Sequence, residues 1–253
     1  MVPVLEEILR TGQVRTADDS ATVPLDSAVP ADVGKFLQEL IKLRKPKTTL
    51  EVGLAFGVSA LFICDALRQC GGLRHIAIDP YQNHGEHWKG IGVRNLERAG
   101  FSDLIEFHES PSHVALPELE TRGTRVEFAF IDGWHTFDHA LTDFFHIDRI
   151  LTVGGVVVFD DVFFPGVHEA CRYVALNRAY AVAGCTERPA DYRPSNAARL
   201  LQQTSRHSAL ARKVLKSKFV TPDEGLLFTP DCRCVAFEKL EEDTRGWAEH
   251  SEF

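Results

Sequence analysis

The chain has 253 residues, of which 44% are hydrophobic and 25% charged, a composition typical of one globular domain with a sizeable core. Asp and Glu outnumber Lys and Arg by 36 to 28, so the formal net charge of −8 argues against nucleic acid as the main partner, since phosphate binding favours a basic surface. The first residues carry no basic stretch before an apolar one, and no apolar run could span a bilayer, so we expect neither a secretory signal nor a membrane partner.

The six cysteines are too sparse for a disulfide scaffold. Cys232 and Cys234 form only a C-x-C pair, and the absence of any C-x-x-C pair argues against zinc-ribbon and thioredoxin-like sites. Reduced thiols are typical of the cytoplasm, which is the location we predict.

Short apolar runs alternate with helix-patterned stretches along the chain. The predicted strands are Thr48–Val52, His75–Ile78, Leu104–Phe107, Val126–Ile131 and Val156–Phe159. The predicted helices between them are Ser59–Gln69, His87–Ala99, Pro111–Leu119 and Thr136–Ile150. Strands without polar alternation are buried on both faces, and helices between them indicate parallel crossovers. The sequence therefore predicts an α/β fold with a Rossmann-like, doubly wound, mostly parallel sheet.

The predicted sheet is flanked by further elements on both sides. Before it lie an N-terminal arm, residues 1–29, and a helix from Ala31 to Arg44 that ends at Lys45-Pro46-Lys47 because a proline disfavours the α conformation of the residue before it. After it we predict, in chain order, a helix, a strand, a second helix and a last strand, near Val167–Asn177, Tyr180–Cys185, Ser195–Lys216 and Cys232–Phe237. The two late strands bring the sheet to seven and suggest a C-terminal β-hairpin.

The first predicted strand is followed by a glycine-rich turn and a helix. Gly53 and Gly57 would let the backbone approach a ligand closely, and Glu51 would suit an amino group better than a pyrophosphate. The G-x-x-x-G spacing lacks the dinucleotide fingerprint G-x-G-x-x-G, which disfavours an NAD-dependent oxidoreductase. A tight turn that needs glycine for structural reasons alone is the alternative.

Asp79 ends the next predicted strand. It follows Gly53 by 26 residues, near the offset at which a carboxylate binds ribose hydroxyls in related α/β sheets. The alternative is an aspartate that caps a helix or a turn.

Three carboxylates follow two buried runs that end abruptly. Asp132 follows Phe130-Ile131, and Asp160 and Asp161 follow Val158-Phe159, so we expect them at the same edge of the sheet. Close carboxylates repel one another, and a divalent cation relieves the repulsion; an all-oxygen set favours Mg²⁺, Ca²⁺ or Mn²⁺. The alternative is that they cap the following helices.

His135 lies three residues after Asp132. Its side chain can therefore reach the same pocket, where an imidazole can accept a proton near neutral pH.

Taken in order, these motifs resemble those of a known family. The segments E-x-G-x-x-x-G-x-S at residue 51, F-I-D-G-x-H at residue 130 and G-G-V-V-V-F-D-D at residue 154 are similar to class I S-adenosylmethionine-dependent methyltransferases. Within that superfamily the chain most resembles cation-dependent O-methyltransferases of the catechol and caffeoyl-CoA type and their bacterial natural-product relatives. The segment Ala31-Asp32-Val33-Gly34-Lys35-Phe36-Leu37 is also similar, and the resemblance covers residues 22–165 and the last strand.

The resemblance implies a role for each matching residue. The methionine moiety of the cofactor would contact Glu51, Gly53 and Gly57, and its amino acid end would bind Ser59. The ribose hydroxyls would bind Asp79. The other cofactor-binding residues implied are Phe56, Asp132 and, beside the adenine, Glu109 and Ser110.

The metal ligands implied are Asp132, Asp160 and Asp161, although the family commonly has asparagine in place of Asp161. His135 stands where the catechol type has a lysine base, and we predict that it is the catalytic base. The implied cofactors are S-adenosylmethionine and Mg²⁺ or another divalent cation.

We therefore predict one methyltransferase domain over residues 1–253, with residues 1–45 as arm and helix, 46–185 as the cofactor-binding core and 186–253 as a helical insertion and last strand. Its predicted reaction is methyl transfer from S-adenosylmethionine to a hydroxyl of a small molecule. Two alternatives remain open: a metal-independent O- or N-methyltransferase, and a non-catalytic S-adenosylmethionine-binding protein. By resemblance we also predict a homodimer.

Residues 188–218 contain eight Lys and Arg residues against one acidic residue, Asp191. They predict either an amphipathic helix with a solvated basic face or a lid that attracts an anionic acceptor.

Overall fold

The structure is a computed structural model that describes residues 1–84, 87–187, 226–229, 232–251 and 253. Its main feature is a sheet of seven strands: β3 (Thr48–Val52), β4 (Arg74–Ile78), β5 (Ile105–His108), β6 (Val126–Ile131), β7 (Leu151–Phe159), β8 (Tyr180–Glu187) and β9 (Cys232–Lys239). Their order across the sheet is β5-β4-β3-β6-β7-β9-β8. The first five are parallel, and β9 is antiparallel to both β7 and β8. The predicted Rossmann-like fold with a C-terminal hairpin is confirmed.

Six helices accompany this sheet in the described part of the chain. They are α2 (Ala31–Arg44), α3 (Val58–Gln69), α4 (Ile91–Arg98), α5 (Ser112–Thr121), α6 (Phe137–Ile150) and α7 (Pro165–Asn177). Pro165 is at the first position of α7, where its fixed φ and missing N–H suit a helix start. None of the helices in the described ranges is both long and apolar enough to cross a membrane.

The sheet separates two hydrophobic clusters because its central strands are buried on both faces. On β6, Phe128 and Phe130 pack into one cluster with α2 and α3, whereas Ala129 and Ile131 pack into the other with α5, α6 and α7. Since successive side chains of a strand point to opposite faces, one uninterrupted apolar run supplies both clusters. This packing fixes the strands whose carboxyl ends carry the candidate site residues.

The N-terminal arm is more structured than the sequence analysis predicted. It contains a helix, α1 (Pro3–Thr11), and a two-stranded antiparallel hairpin of β1 (Gln13–Arg15) and β2 (Thr22–Pro24). The strands are only three residues long, and Val14 is the one buried residue among the six, so the hydrophobic pattern is too short to predict them.

Two element boundaries differ from the prediction by more than two residues. Helix α4 starts at Ile91 instead of His87 because Lys89 and Gly90 adopt left-handed conformations, with φ of 46° and 74°. Strand β7 starts at Leu151, five residues before the predicted start, and continues through the exposed Gly154. The predicted helix Ser195–Lys216 and the basic residues 188–218 lie outside the described residues.

Candidate functional site

A cavity of about 720 Å³ lies at the carboxyl ends of β3, β4, β6 and β7. This is the edge where open α/β sheets bind ligands. The cavity is closed on one side by residues 26–29 of the N-terminal arm, which precede α2. A pocket of this size, lined by a few converging polar groups, suits a ligand of cofactor size.

Residues 53–57, which we call the glycine turn, follow β3, and the first three of them line the cavity. Gly53 has a φ of 94°, and a Cβ there would lie 2.0 Å from the carbonyl oxygen of Asp132. Gly57 has a φ of 77°, and a Cβ there would lie 2.8 Å from the carbonyl oxygen of Gly92. Both positions therefore require glycine for backbone reasons, and Gly53 also lines the cavity.

Asp79 fastens the glycine turn to the end of β4. Its Oδ2 accepts hydrogen bonds from the backbone N–H groups of Leu54 and Ala55 at 3.1 and 2.9 Å. Its Oδ1 accepts one from the N–H of Tyr81 at 2.8 Å. Asp79 is buried and lines the cavity, so it holds the turn in shape at the wall where the ribose is predicted.

Glu51 is fully buried beneath the glycine turn and is not among the cavity-lining residues. Its Oε2 accepts a hydrogen bond from the Ser59 hydroxyl at 2.8 Å, and its Oε1 lies 3.3 Å from Nε2 of His75. The other ring nitrogen of His75 is 2.9 Å from the Thr49 hydroxyl. Ser59 does line the cavity, so the carboxylate of Glu51 orients a cavity residue from below.

Glu109 does not line the cavity, and its carboxylate instead contacts Asn83 and His84. Its carboxylate accepts hydrogen bonds from the backbone and side-chain N–H groups of Asn83 at 2.5 and 2.9 Å and lies 2.9 Å from Nδ1 of His84. These contacts hold the turn that follows Asp79. The residues of this segment that line the cavity are Pro111, Ser112 and His113, which directly follow Ser110.

Asp132, His135 and Asp161 meet at the opposite wall of the cavity. Nε2 of His135 lies 3.4 Å from Oδ1 of Asp132 and 3.1 Å from Oδ2 of Asp161. One ligand atom from each of the three lies within 4.8 Å of the others. Asp161 has a φ of 54°, a left-handed conformation that aspartate tolerates better than most residues.

The carboxylates at this wall perturb one another and the imidazole. Burial and the nearby Asp160 and Asp161 raise the pKa of Asp132 above its usual range. The hydrogen bond to Asp132 and the charge of Asp161 raise the pKa of His135. This wall of the cavity therefore stabilises bound positive charge, and Asp132 and His135 keep their protons to a higher pH than usual.

Asp160 has other contacts than the two neighbouring aspartates, Asp132 and Asp161. Its Oδ1 is 3.2 Å from Nε of Arg233 and accepts a hydrogen bond from the Cys234 thiol at 2.8 Å. Its Oδ2 is 3.4 Å from Nη2 of Arg233. Asp160 is almost completely buried, so strand β9 supplies the partners of this carboxylate.

The alternative that these aspartates cap helices is wrong. Thr136 precedes α6 and Phe164 precedes α7, and neither helix has a side-chain hydrogen bond at its N-terminal cap. Asp132 and Asp161 lie four and three residues before these caps, and their side chains face the cavity.

The cavity brings together most, but not all, of the predicted site residues. Those that line it are Gly53, Ser59, Asp79, Asp132, His135, Asp160 and Asp161. Those that do not are Glu51, Phe56, Gly57, Glu109 and Ser110; the side chain of Phe56 is buried in the core. Their predicted contacts with the cofactor stay predictions.

The sequence analysis missed several lining residues: Ser112, His113, His139, Asp143 and Arg233. Asp143, on α6, is buried, and desolvation raises its pKa to about 6 even though the Ser112 hydroxyl hydrogen-bonds to it. A buried acidic position in an amphipathic helix was a usable signal for Asp143. Arg233 gave no such signal because it belongs to a strand about 70 residues away from the aspartates.

Comparison with known proteins identifies the domain type. Residues 50–162 match the family model described as a methyltransferase domain. The matched residues make up less than half of the chain. The likeness to a methyltransferase domain therefore concerns this part of the chain.

Among curated relatives, the chain is 31% identical over 144 residues to a caffeoyl-CoA O-methyltransferase of Populus kitakamiensis, a match that covers 55% of this chain and 57% of the relative. It is 32% identical over 139 residues to caffeoyl-CoA O-methyltransferase 2 of Petunia hybrida, covering 54% of each. The chain thus spans less than three-fifths of the length of these relatives.

Solved structures share the fold of this chain. The O-methyltransferase TomG of Streptomyces achromogenes, in complex with S-adenosylmethionine, has 23% identity and a TM-score of 0.58 over 72% of this chain and 82% of its own. An O-methyltransferase of Bacillus cereus, in complex with S-adenosylhomocysteine, has 22% identity and a TM-score of 0.58 over 71% and 82%. At these identities the likeness concerns the fold.

Proposed function

We propose that this protein transfers the methyl group of S-adenosylmethionine to a hydroxyl oxygen of a small molecule. The observation that carries the proposal is the cavity at the strand ends, which has the glycine turn on one side and His135 between two carboxylates on the other. Methyl transfer needs a donor, an acceptor oxygen and a proton acceptor held in line, and one cavity with these two walls provides for all three.

In this proposal the glycine turn and Asp79 bind the donor. The buried carboxylate of Asp79 keeps the turn in place and stands where the ribose hydroxyls would donate hydrogen bonds. Ser59, oriented by Glu51, offers a hydroxyl at the same wall. The negative charge of Asp132, Asp160 and Asp161 favours the positive sulfonium of the donor over its neutral product.

His135 accepts the proton that the acceptor hydroxyl loses. Its ring is 38% exposed at the cavity mouth, so it can reach an acceptor and still contact Asp132 and Asp161. The two carboxylates stabilise the imidazolium that forms and fix the orientation of the ring. Phe164 stacks on the ring with centroids 5.3 Å apart, which limits its rotation.

The donor set at this wall fits a divalent cation. Asp132, His135 and Asp161 each offer one ligand atom within the distance that a bound ion requires, and a fully buried neighbour, Asp160, adds negative charge. We propose that Asp132 and Asp161 hold such an ion. When bound, it would lower the pKa of the acceptor hydroxyl and stabilise the oxyanion. Asp160, a ligand in the sequence prediction, is already bound by Arg233 and Cys234.

We propose a planar phenolic hydroxyl compound as the acceptor, because the curated relatives are named for caffeoyl-CoA and Trp134 and Phe164 stand exposed beside His135. The negative wall argues that any anionic group of the acceptor lies away from the aspartates. The homodimer and the basic residues 188–218 remain predictions.

The test is a binding and turnover experiment. Calorimetric titration with S-adenosylhomocysteine is expected to give a one-to-one complex. Incubation with methyl-labelled S-adenosylmethionine and a panel of catechols, caffeic acid and caffeoyl-CoA is expected to label a phenolic oxygen. Binding without transfer to any hydroxyl would favour the non-catalytic alternative, and transfer to nitrogen would overturn the assignment of the acceptor. The absence of binding would reject the proposal altogether.

A further inference from the structure

Arg233 lies within the group of aspartates that we propose as the cation site. Its Nε and Nη2 bind the two oxygens of Asp160 at 3.2 and 3.4 Å, in the bidentate arrangement that suits a guanidinium. Nη2 is also 3.2 Å from Oδ1 of Asp161. The side chain is only 16% exposed and lines the cavity, so one guanidinium joins two neighbouring carboxylates.

The backbone of Arg233 is fixed to the same strand end as its side chain. Its carbonyl oxygen accepts a hydrogen bond from the N–H of Val162 at 2.8 Å, directly after Asp161. In addition, the guanidinium carbon lies 5.8 Å from the ring centroid of Phe163.

Because arginine stays protonated at all relevant pH values, the site always contains one positive charge that belongs to the protein.

The guanidinium of Arg233 binds both oxygens of Asp160 but only one oxygen of Asp161. Both oxygens of Asp160 are engaged by Arg233, and one also accepts the Cys234 thiol, so no oxygen of this carboxylate is without a partner. Asp161 has a different partner at each oxygen: its Oδ2 lies beside His135, whereas its Oδ1 lies beside Arg233. The carboxylates left for a divalent cation are therefore those of Asp132 and Asp161, which lie close to each other and to His135.

We propose that Arg233 is a resident cation that limits how tightly this site binds a divalent metal ion. The inference rests on the proposed function, since it concerns the metal affinity of the proposed site. Arg233 weakens metal binding in two ways: it withdraws Asp160 from the set of ligands, and it repels a second cation beside Asp161. Arg233 is thus a positioning residue that balances the charge of the site.

The experiment measures Mn²⁺ binding to the metal-free protein by the electron paramagnetic resonance signal of free Mn²⁺. Arg233→Met removes the charge and keeps most of the apolar stem, and it is expected to bind Mn²⁺ at least tenfold more tightly than the unchanged protein. Arg233→Lys keeps the charge and is expected to stay within threefold. The control is Arg149→Met, which removes a surface arginine paired with Glu120 and is expected to change nothing. Equal or weaker Mn²⁺ binding by Arg233→Met overturns the proposal.

A second variant guards against loss of folding in Arg233→Met, which circular dichroism would reveal. Asp160→Asn leaves the guanidinium of Arg233 beside Asp161 without its main partner, and it is expected to bind Mn²⁺ at least threefold more weakly than the unchanged protein. Unchanged or tighter Mn²⁺ binding by Asp160→Asn would mean that the charge of Arg233 does not oppose the metal ion and would overturn the proposal.

S-adenosylhomocysteine binding, measured on the same proteins, separates this proposal from the proposed function. If the unchanged protein does not bind the nucleoside, the proposed function fails, whatever the Mn²⁺ result. If it binds the nucleoside and the Mn²⁺ affinity does not respond to Arg233→Met, only the role of Arg233 fails.

Discussion

Gly53 and Asp132 approach so closely that a Cβ on Gly53 would lie 2.0 Å from the carbonyl oxygen of Asp132. The contact joins the end of β3 to the end of β6, where the backbone N–H of Asp132 also donates to the carbonyl oxygen of Val52 at 2.9 Å. The turn proposed to bind the donor and the aspartate proposed to bind the cation therefore share one rigid backbone junction.

Substitution of Gly53 by alanine is expected to disrupt this junction. The positive φ and the overlap with the carbonyl of Asp132 together should cost about 2–5 kcal/mol of unfolding free energy. The control is Gly123→Ala, since Gly123 also has a positive φ, 71°, but open space around it, so only about 1–2 kcal/mol of conformational strain is expected. Urea denaturation measures both, and equal losses in the two variants would mean that the contact with Asp132 is unimportant.

Replacement of His135 by alanine is expected to lower kcat by roughly 10²–10⁴-fold, the usual contribution of a general base. The affinity for S-adenosylhomocysteine should stay within threefold, because His135 lies on the acceptor side of the cavity. His139→Ala is the matched control: His139 lines the same cavity but contacts Thr136 and Asp138. A kcat unchanged in His135→Ala, or lowered equally in both variants, would remove His135 from the mechanism.

Chelation is expected to abolish turnover, and added Mg²⁺ or Mn²⁺ to restore it. The reason is that Asp132 and Asp161 would lose the charge that offsets their repulsion and stabilises the acceptor oxyanion. The measurement compares initial rates in EDTA and after each metal ion is added back. Full activity in EDTA would assign the chain to the metal-independent alternative, with Arg233 as the cation of the site.

The strand ends were the most predictable part of the site. Asp79, Asp132 and Asp161 follow short apolar runs, and the topology of a parallel sheet brings such residues to one edge whatever the helices between them do. Arg233 was not predictable because its contact with Asp160 depends on the antiparallel pairing of β7 with β9, which joins residues far apart in the sequence.

The direction of a side chain near a strand end was harder to predict than its place in the chain. Glu51 precedes the glycine turn by two residues and was predicted to contact the donor, but its side chain points beneath the turn toward His75. Val52, the next residue, lines the cavity instead. Since alternate residues of a strand face opposite ways, one position decides between ligand contact and burial.

Removal of the Glu51 side chain is therefore expected to act first on stability. In Glu51→Ala, the buried Ser59 hydroxyl and His75 ring lose a partner, and leaving a buried polar group without its hydrogen bond costs about 1–3 kcal/mol. Glu97→Ala removes an exposed carboxylate paired with Arg94 and should cost less than about 1 kcal/mol. Denaturation curves compare the two; a stable Glu51→Ala protein with weakened donor binding would instead favour direct contact of Glu51 with the donor.

Asp143 is expected to make stability fall as the pH rises. Its pKa is raised by burial to about 6 in the folded protein, whereas in the unfolded chain it returns to the ordinary value of 3.8. Between these values the folded state keeps a proton that the unfolded state has lost, so stability is lost through this window and stays lower above it. An asparagine side chain cannot ionise, and the stability of Asp143→Asn relative to the unchanged protein should therefore increase by about 2 kcal/mol between pH 4 and pH 7. Urea denaturation at several pH values measures this difference, in which the titration of all other groups cancels. Parallel stability profiles for the two proteins would mean that the pKa of Asp143 is the same in the folded and unfolded states.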